Sequence, residues 1–149
     1  MTMLRIAAAM LLMALPGAAQ AADGPALYKR CAACHLATGA GVPGAFPSLK
    51  VEPAALAAKP DGRRFLVLAV TRGLSGPLVV DGKTYRGVMP AQAAMKDDEV
   101  AAVLNHVLDT IAAADKKVKR FSADEVGGIR KGGAALTPRQ VAELKAAIK

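Results

Sequence analysis

The stretch KRCAACH, residues 29–35, holds both cysteines of the chain and one of its two histidines. Four chemistries use such a cluster: a disulfide, a redox dithiol, part of a zinc site, or the covalent anchor of a haem. A disulfide between Cys31 and Cys34 closes so small a loop that it restrains little of the unfolded chain. A redox C-x-x-C wants a preceding strand and a βαβ setting. Here GPALYKR precedes the motif, with Leu27 at helical spacing from Cys31 and Cys34. A structural zinc needs four ligands. Beyond the first residues the chain offers Cys31, Cys34, His35 and His106, and the adjacent Cys34 and His35 point in different directions on a helix. C-x-x-C-H is the attachment pattern of c-type haem: the thiols add to the two vinyl groups, and only a haem explains why the histidine follows at once. The five-residue pattern is moderately specific and needs a second ligand.

Two methionines lie downstream, Met89 and Met95. Met89 sits in YRGVMPA, where Pro90 pins the backbone and Gly87 removes a side chain where the loop nears the ring. Met95 precedes DDEVAAVLNHVLDTI, whose Val100, Val103, Leu104, Val107, Leu108 and Ile111 share one helical face. Met95 therefore reads as a core residue packed on that face, and Met89 as the candidate iron ligand.

The elements that must place these residues read as mostly helical. A first helix, about 24–34, runs into the motif. A Gly/Pro-rich loop, 39–48, wraps the histidine side. Asp61 is expected to cap a helix over 62–72 that Gly73 ends. VVDGKT reads as a hairpin with Asp81–Gly82 as its two-residue turn, and a last helix covers about 97–113, with Asp97 as its expected cap. Residues 22–115 contain only Tyr28, Phe46, Phe65 and Tyr85 as aromatics. So lean a domain is marginal in the area it can bury, and a large apolar object at its centre would complete it.

Upstream, Met1–Arg5 is a short positive segment, Ile6–Leu15 is apolar, and Ala19-Gln20-Ala21 is a small-x-small site. That is the layout of a cleavable secretory signal peptide over 1–21, with an apolar run about half the length a membrane span needs. Residues 22–149 are expected as an exported, periplasmic protein, which disfavours a nucleic-acid partner.

LYKRCAACH, GVPGAFPSL, TRGLSGPLVVDGKTYRGVMPA and DDEVAAVLNHV follow one another over roughly 24–111. Through them the chain resembles the class I monohaem cytochromes c of bacterial periplasms. The resemblance implies an all-α cytochrome c fold around one covalent haem c, with a small β-hairpin. It implies thioether links at Cys31 and Cys34, His35 and Met89 as iron ligands, and a Pro47 carbonyl that supports the His35 ring. It places Tyr28 where the first and last helices cross. His106 stands where the family often has an aromatic residue, and reads as a packed histidine in that seam rather than a rival ligand.

A six-coordinate iron has no open position, so no enzymatic activity is expected. The function implied is one-electron transfer between periplasmic redox proteins. Ala32, Ala33, Val88 and Ala91 are expected to frame the exposed haem edge, with Lys29, Arg30 and Arg86 steering an acidic partner face. The alternatives are a fixed relay subunit of a periplasmic oxidoreductase and, if Met89 does not bind, a five-coordinate gas-binding or peroxidase-type protein.

Charge is uneven. Residues 22–115 carry 10 Lys+Arg against 9 Asp+Glu, whereas 116–149 carry 9 against 3. This basic extension runs past the end of a minimal family domain. Ser122 and Glu125 have the spacing of a capping box, and Thr137-Pro138 with Gln140 marks a second helix start. Between them GGIRKGGAA reads as a flexible joint. Val141, Leu144 and Ile148 make an apolar stripe that either packs along the haem domain or docks to a partner subunit or membrane face.

Overall fold

A computed structural model describes residues 21–148, so residues 1–20 of the expected signal peptide lie outside them. The elements are α1 (Gly24–His35), α2 (Glu52–Ala57), α3 (Pro60–Arg72), β1 (Leu78–Val80), β2 (Lys83–Tyr85), α4 (Asp97–His106), α5 (Ala123–Gly132) and α6 (Pro138–Ala146). No helix among them is long and apolar enough to cross a membrane.

Asp23 starts α1 by accepting from the Ala26 N–H at 3.0 Å. At the crossing of α1 and α4, a Cβ on Gly24 would fall 2.5 Å from the Ala102 carbonyl oxygen, so only glycine permits this approach. Tyr28 and His106 pack there with ring centroids 5.3 Å apart, the seam the sequence predicts for this histidine. β1 and β2 pair antiparallel with Val80 opposite Lys83. Asp81 and Gly82 both have positive φ, 49° and 73°, as a type I′ turn requires.

Several boundaries differ from expectation. α3 begins at Pro60 with Lys59 as its N-cap, so Asp61 is not the cap but lies in the first turn, where its charge suits the helix dipole. α2 has no counterpart among the expected elements, although Pro53 near the start of EPAALA is a usable helix signal. Lys96, not Asp97, is the N-cap of α4; the Lys96 N–H donates to Glu99 Oε2 at 2.8 Å. The final core helix is not uniform: α4 continues as a π-helical turn over Val107–Ile111, closed by the Ala112 N–H on the Val107 carbonyl at 2.8 Å.

The largest revision is in the extension. GGIRKGGAA is not a flexible joint: its first six residues complete α5, capped by Ser122, and only the rest forms the turn to α6. Val126 and Phe121 join a core cluster with Tyr28, Val67, Val100 and Leu108. Val141 and Ala142 join a second cluster with Phe65, Leu68, Leu78 and Tyr85, against which Leu144 and Ile148 pack. The apolar stripe is therefore covered by the chain itself. Fully burying a Val of this kind contributes roughly 1.5–3 kcal/mol.

Several basic residues of the extension, and arginines facing it, are used internally. Arg72 Nε and Nη2 donate to the Leu136 carbonyl at 3.0 and 2.8 Å. Arg130 donates to the carbonyls of Met95 and Ala93 and pairs with Asp97 at 2.7 Å. Arg120 pairs with Asp109 at 2.6 Å. The turn between α5 and α6 is equally tight. A Cβ on Gly133 would fall 2.3 Å from Leu68 Cδ2, in a side chain that is fully buried. Gly133→Ala is expected to cost about 1–3 kcal/mol by overpacking. Gly132→Ala, where a Cβ meets nothing within 4 Å, should be neutral or slightly stabilising; paired thermal melts compare the two.

Candidate functional site

α1 delivers the motif and then stops abruptly. Leu36 takes a positive φ of 63°, uncommon for a side-chain-bearing residue. Its carbonyl accepts the Tyr28 hydroxyl at 2.9 Å, which ties the strained residue back to the helix. Tyr28 thus does more than fill the crossing: it fixes the backbone beside His35. Burial, with the neighbouring Cys31, pushes its hydroxyl pKa up to about 12, so it stays a donor.

The loop after α1 folds back so that a backbone carbonyl meets the His35 ring. Gly41 has φ +65°, and a Cβ there would fall 2.4 Å from the Phe46 carbonyl oxygen. The bridge between Val42 and Phe46 closes the loop, and the Pro47 carbonyl then lies 2.8 Å from His35 Nδ1. Nδ1–H donates, which leaves Nε2 with its lone pair. Burial lowers the His35 pKa, with the Pro47 bond partly offsetting this. The ring is therefore held neutral in the tautomer a metal ligand needs.

Met89 is placed by the end of α3. Leu74 and Met89 exchange both backbone hydrogen bonds, at 2.9 and 3.0 Å. Gly73, with φ +76°, makes room: a Cβ there would fall 2.4 Å from the Met89 carbonyl oxygen. Gly73 reads from the sequence as a helix stop, but its second task is this close approach. Gly87, by contrast, would meet only the Ala45 carbonyl, at 3.5 Å, ordinary van der Waals contact within the protein. Met95 is 3% exposed in the core, as its position beside the helical face predicts.

Cys31, His35 and Met89 all line one cavity of about 840 Å³, mouth included. Phe65, Val70, Leu74, Leu104 and Leu108 supply much of its apolar wall. A second lobe is lined by Cys34, His35, Met89, Val88 and Pro90. Cys31 and Cys34 are not joined as a disulfide. Among the described residues no three or more His, Cys, Asp or Glu gather as a zinc site would need. His106 is not among the cavity-lining residues.

These residues fit a haem: two thiols for the vinyl groups, a neutral imidazole with a free nitrogen, a thioether, and an apolar chamber between them. Val88, which lines the second lobe, is 68% exposed; Ala33, Ala91, Lys29, Arg30 and Arg86 are exposed and Ala32 is half-buried, but none of these six lines either lobe.

Comparison with known proteins agrees. Residues 21–110 match the family model described as Cytochrome c. Cytochrome c-552 of Thermus thermophilus is 46% identical over 123 residues, covering 80% of this chain and 92% of the relative. A second cytochrome c-552, from a defined strain of Thermus thermophilus, is likewise 46% identical, with 81% of that relative covered. With these matches and a cavity fitted to the group, the chain belongs to the cytochrome c family, as an electron-transfer protein that carries one covalently bound haem c.

Proposed function

We propose that the chain is an exported, freely exchanging one-electron carrier whose haem is linked through Cys31 and Cys34 and ligated by His35 and Met89. The observation that carries this reading is the 2.8 Å bond from His35 Nδ1 to the Pro47 carbonyl, with Met89 on the wall of the same cavity. When bound, the haem supplies a reversible one-electron couple; the rest is the work of the chain. The Pro47 carbonyl fixes the imidazole and keeps Nε2 available. The Leu74–Met89 backbone pair presents a soft, neutral thioether, which favours the reduced state and raises the potential. The apolar wall acts in the same direction by disfavouring the additional positive charge of the oxidised state. His35 and Met89 would together hold the iron, and with both bound no position would remain for a substrate, which would favour a carrier over an enzyme.

Donor and acceptor proteins would approach the edge framed by Ala32, Ala33, Val88 and Ala91, where small side chains shorten the path. Lys29, Arg30 and Arg86 would attract an acidic face there. The basic extension is weaker support for a relay-subunit role, because Arg120, Arg130 and Lys145 pair with acidic residues of the same chain. Export to the periplasm rests on the charged, apolar and small-x-small order of residues 1–21. The test is spectroscopy on the purified holoprotein. The oxidised form should show the near-infrared methionine–iron band, the reduced form should resist carbon monoxide, and titration should follow a one-electron Nernst curve. Rapid carbon monoxide binding by the native protein would sink the proposal.

A further inference from the structure

The C-terminal helix α6 contributes to the haem cavity. Lys145, near its end, lines the cavity together with Glu52 of α2. Neither residue lines the lobe that contains Cys34. Lys145 is the single lysine or arginine, and Glu52 the single carboxylate, among the described residues lining either lobe. The Lys145 side chain is 12% exposed and its Nζ lies 2.7 Å from Glu52 Oε1. Nζ also donates to the Val79 carbonyl of β1. An ammonium has three donors, and these contacts use two of them.

A haem is itself amphipathic. Its vinyl edge is apolar, and two carboxylates lie at the opposite edge of the ring. With the vinyl edge fixed at the cysteines, the carboxylates would lie at the far edge of the ring. A carboxylate entering an apolar chamber needs a cation or hydrogen-bond donors, because desolvation is otherwise uncompensated. We propose that the third N–H of Lys145 donates to a haem carboxylate, so that the extension supplies a charge partner to the cofactor. Lys145 lies outside the stretch 21–110 matched by the family model, so this contact belongs to the extension and not to the shared domain. It gives α6 a positioning role in electron transfer. A fixed positive charge near the ring disfavours the oxidised state, and Glu52 moderates that field.

The inference rests on the cavity being the haem site, and the experiment separates the two. Native protein, Lys145→Met, Lys145→Arg and Glu52→Gln are compared by midpoint potential and by the resonance Raman propionate-bending band. Their c-type optical spectra report haem attachment independently. At a fixed ambient potential, Lys145→Met is expected to raise the oxidised-to-reduced ratio roughly tenfold, about 59 mV for a one-electron couple. The propionate band should move with it, and Lys145→Arg should restore both. Glu52→Gln should shift the ratio the other way and also move the band, because the ammonium is freed toward the haem carboxylate. A native propionate band in Lys145→Met overturns the proposal even if the potential falls, since the lysine would then act only through Glu52. Should Lys145→Met fail to fold, an unmoved band and potential in Glu52→Gln overturn it equally. Absence of a c-type spectrum in the native protein would instead remove the haem-site reading, and this inference with it.

Discussion

Met89→Ala should lower the reduction potential by on the order of 0.1–0.2 V, part of the roughly 0.8 V range that axial ligands command. It should also abolish the near-infrared methionine–iron band and let carbon monoxide bind the reduced protein. The fold should survive. The two backbone hydrogen bonds between Leu74 and Met89 do not involve the side chain, and Met89 is only partly buried. Met95→Ala makes the contrast. That side chain is buried in the core cluster, so truncation should cost about 2–5 kcal/mol and leave the band and potential close to native. If Met95→Ala rather than Met89→Ala removed the band, the ligand assignment would be reversed.

Arg63→Ala should be among the most destabilising single changes in the extension's interface, about 3 kcal/mol, lowering Tm by roughly 10 °C. Arg63 meets Glu125 through Nε at 2.6 Å and Nη2 at 2.8 Å. Its Nη1 donates to the carbonyls of Ala57 at 3.1 Å and Lys119 at 2.6 Å. The guanidinium also stacks 4.0 Å above the Phe121 ring. One side chain thus ties α3 to the end of α2, to the segment leading into α5, and to α5 itself. Lysine cannot reproduce the planar fork, so Arg63→Lys should recover only part of the loss.

The same pair has a pH signature. The Arg63 hydrogen bond lowers the Glu125 pKa from its ordinary 4.5, while burial opposes this. A carboxyl depressed in the folded state contributes its full stabilisation above the unfolded-state pKa and loses it as pH falls through the folded value. The stability gap between native protein and Glu125→Gln, measured by denaturant melts, should therefore be widest near neutrality and narrow below about pH 4.5. A gap that widened in acid would contradict the pairing.

Much of the site was legible because covalent and coordination chemistry restrict residue type and spacing. Cys31, Cys34 and His35 are local to one helical turn, and no folding is needed to bring them together. Met89 was singled out for a different reason: beyond the first residues it competed only with Met95, and the periodic apolar face next to Met95 claimed that residue for the core. The hairpin, the helix starts at Ser122 and Thr137, and the seam histidine were also legible, since turns, caps and helical faces are short-range signals.

What escaped depends on partners distant in sequence. The arginines and Lys145 look like solvated charge until α5 and α6 are seen lying across α3, α4 and β1. Arg63 and Glu125 are 62 residues apart, and Lys145 and Val79 are 66. Three of the four glycines of the expected flexible joint, Gly127, Gly128 and Gly132, are helical because α5 is held by buried Val126 and by Arg130, contacts that outweigh intrinsic propensity. Tyr28 was placed at the helix crossing, but its bond to the Leu36 carbonyl depends on a positive φ that no residue type announces. The sequence by itself therefore determined which atoms can hold a haem, since that chemistry is written in side-chain identity. Only the tertiary structure decided where the basic extension packs, because a charge acquires its contacts from the partner that folding sets beside it.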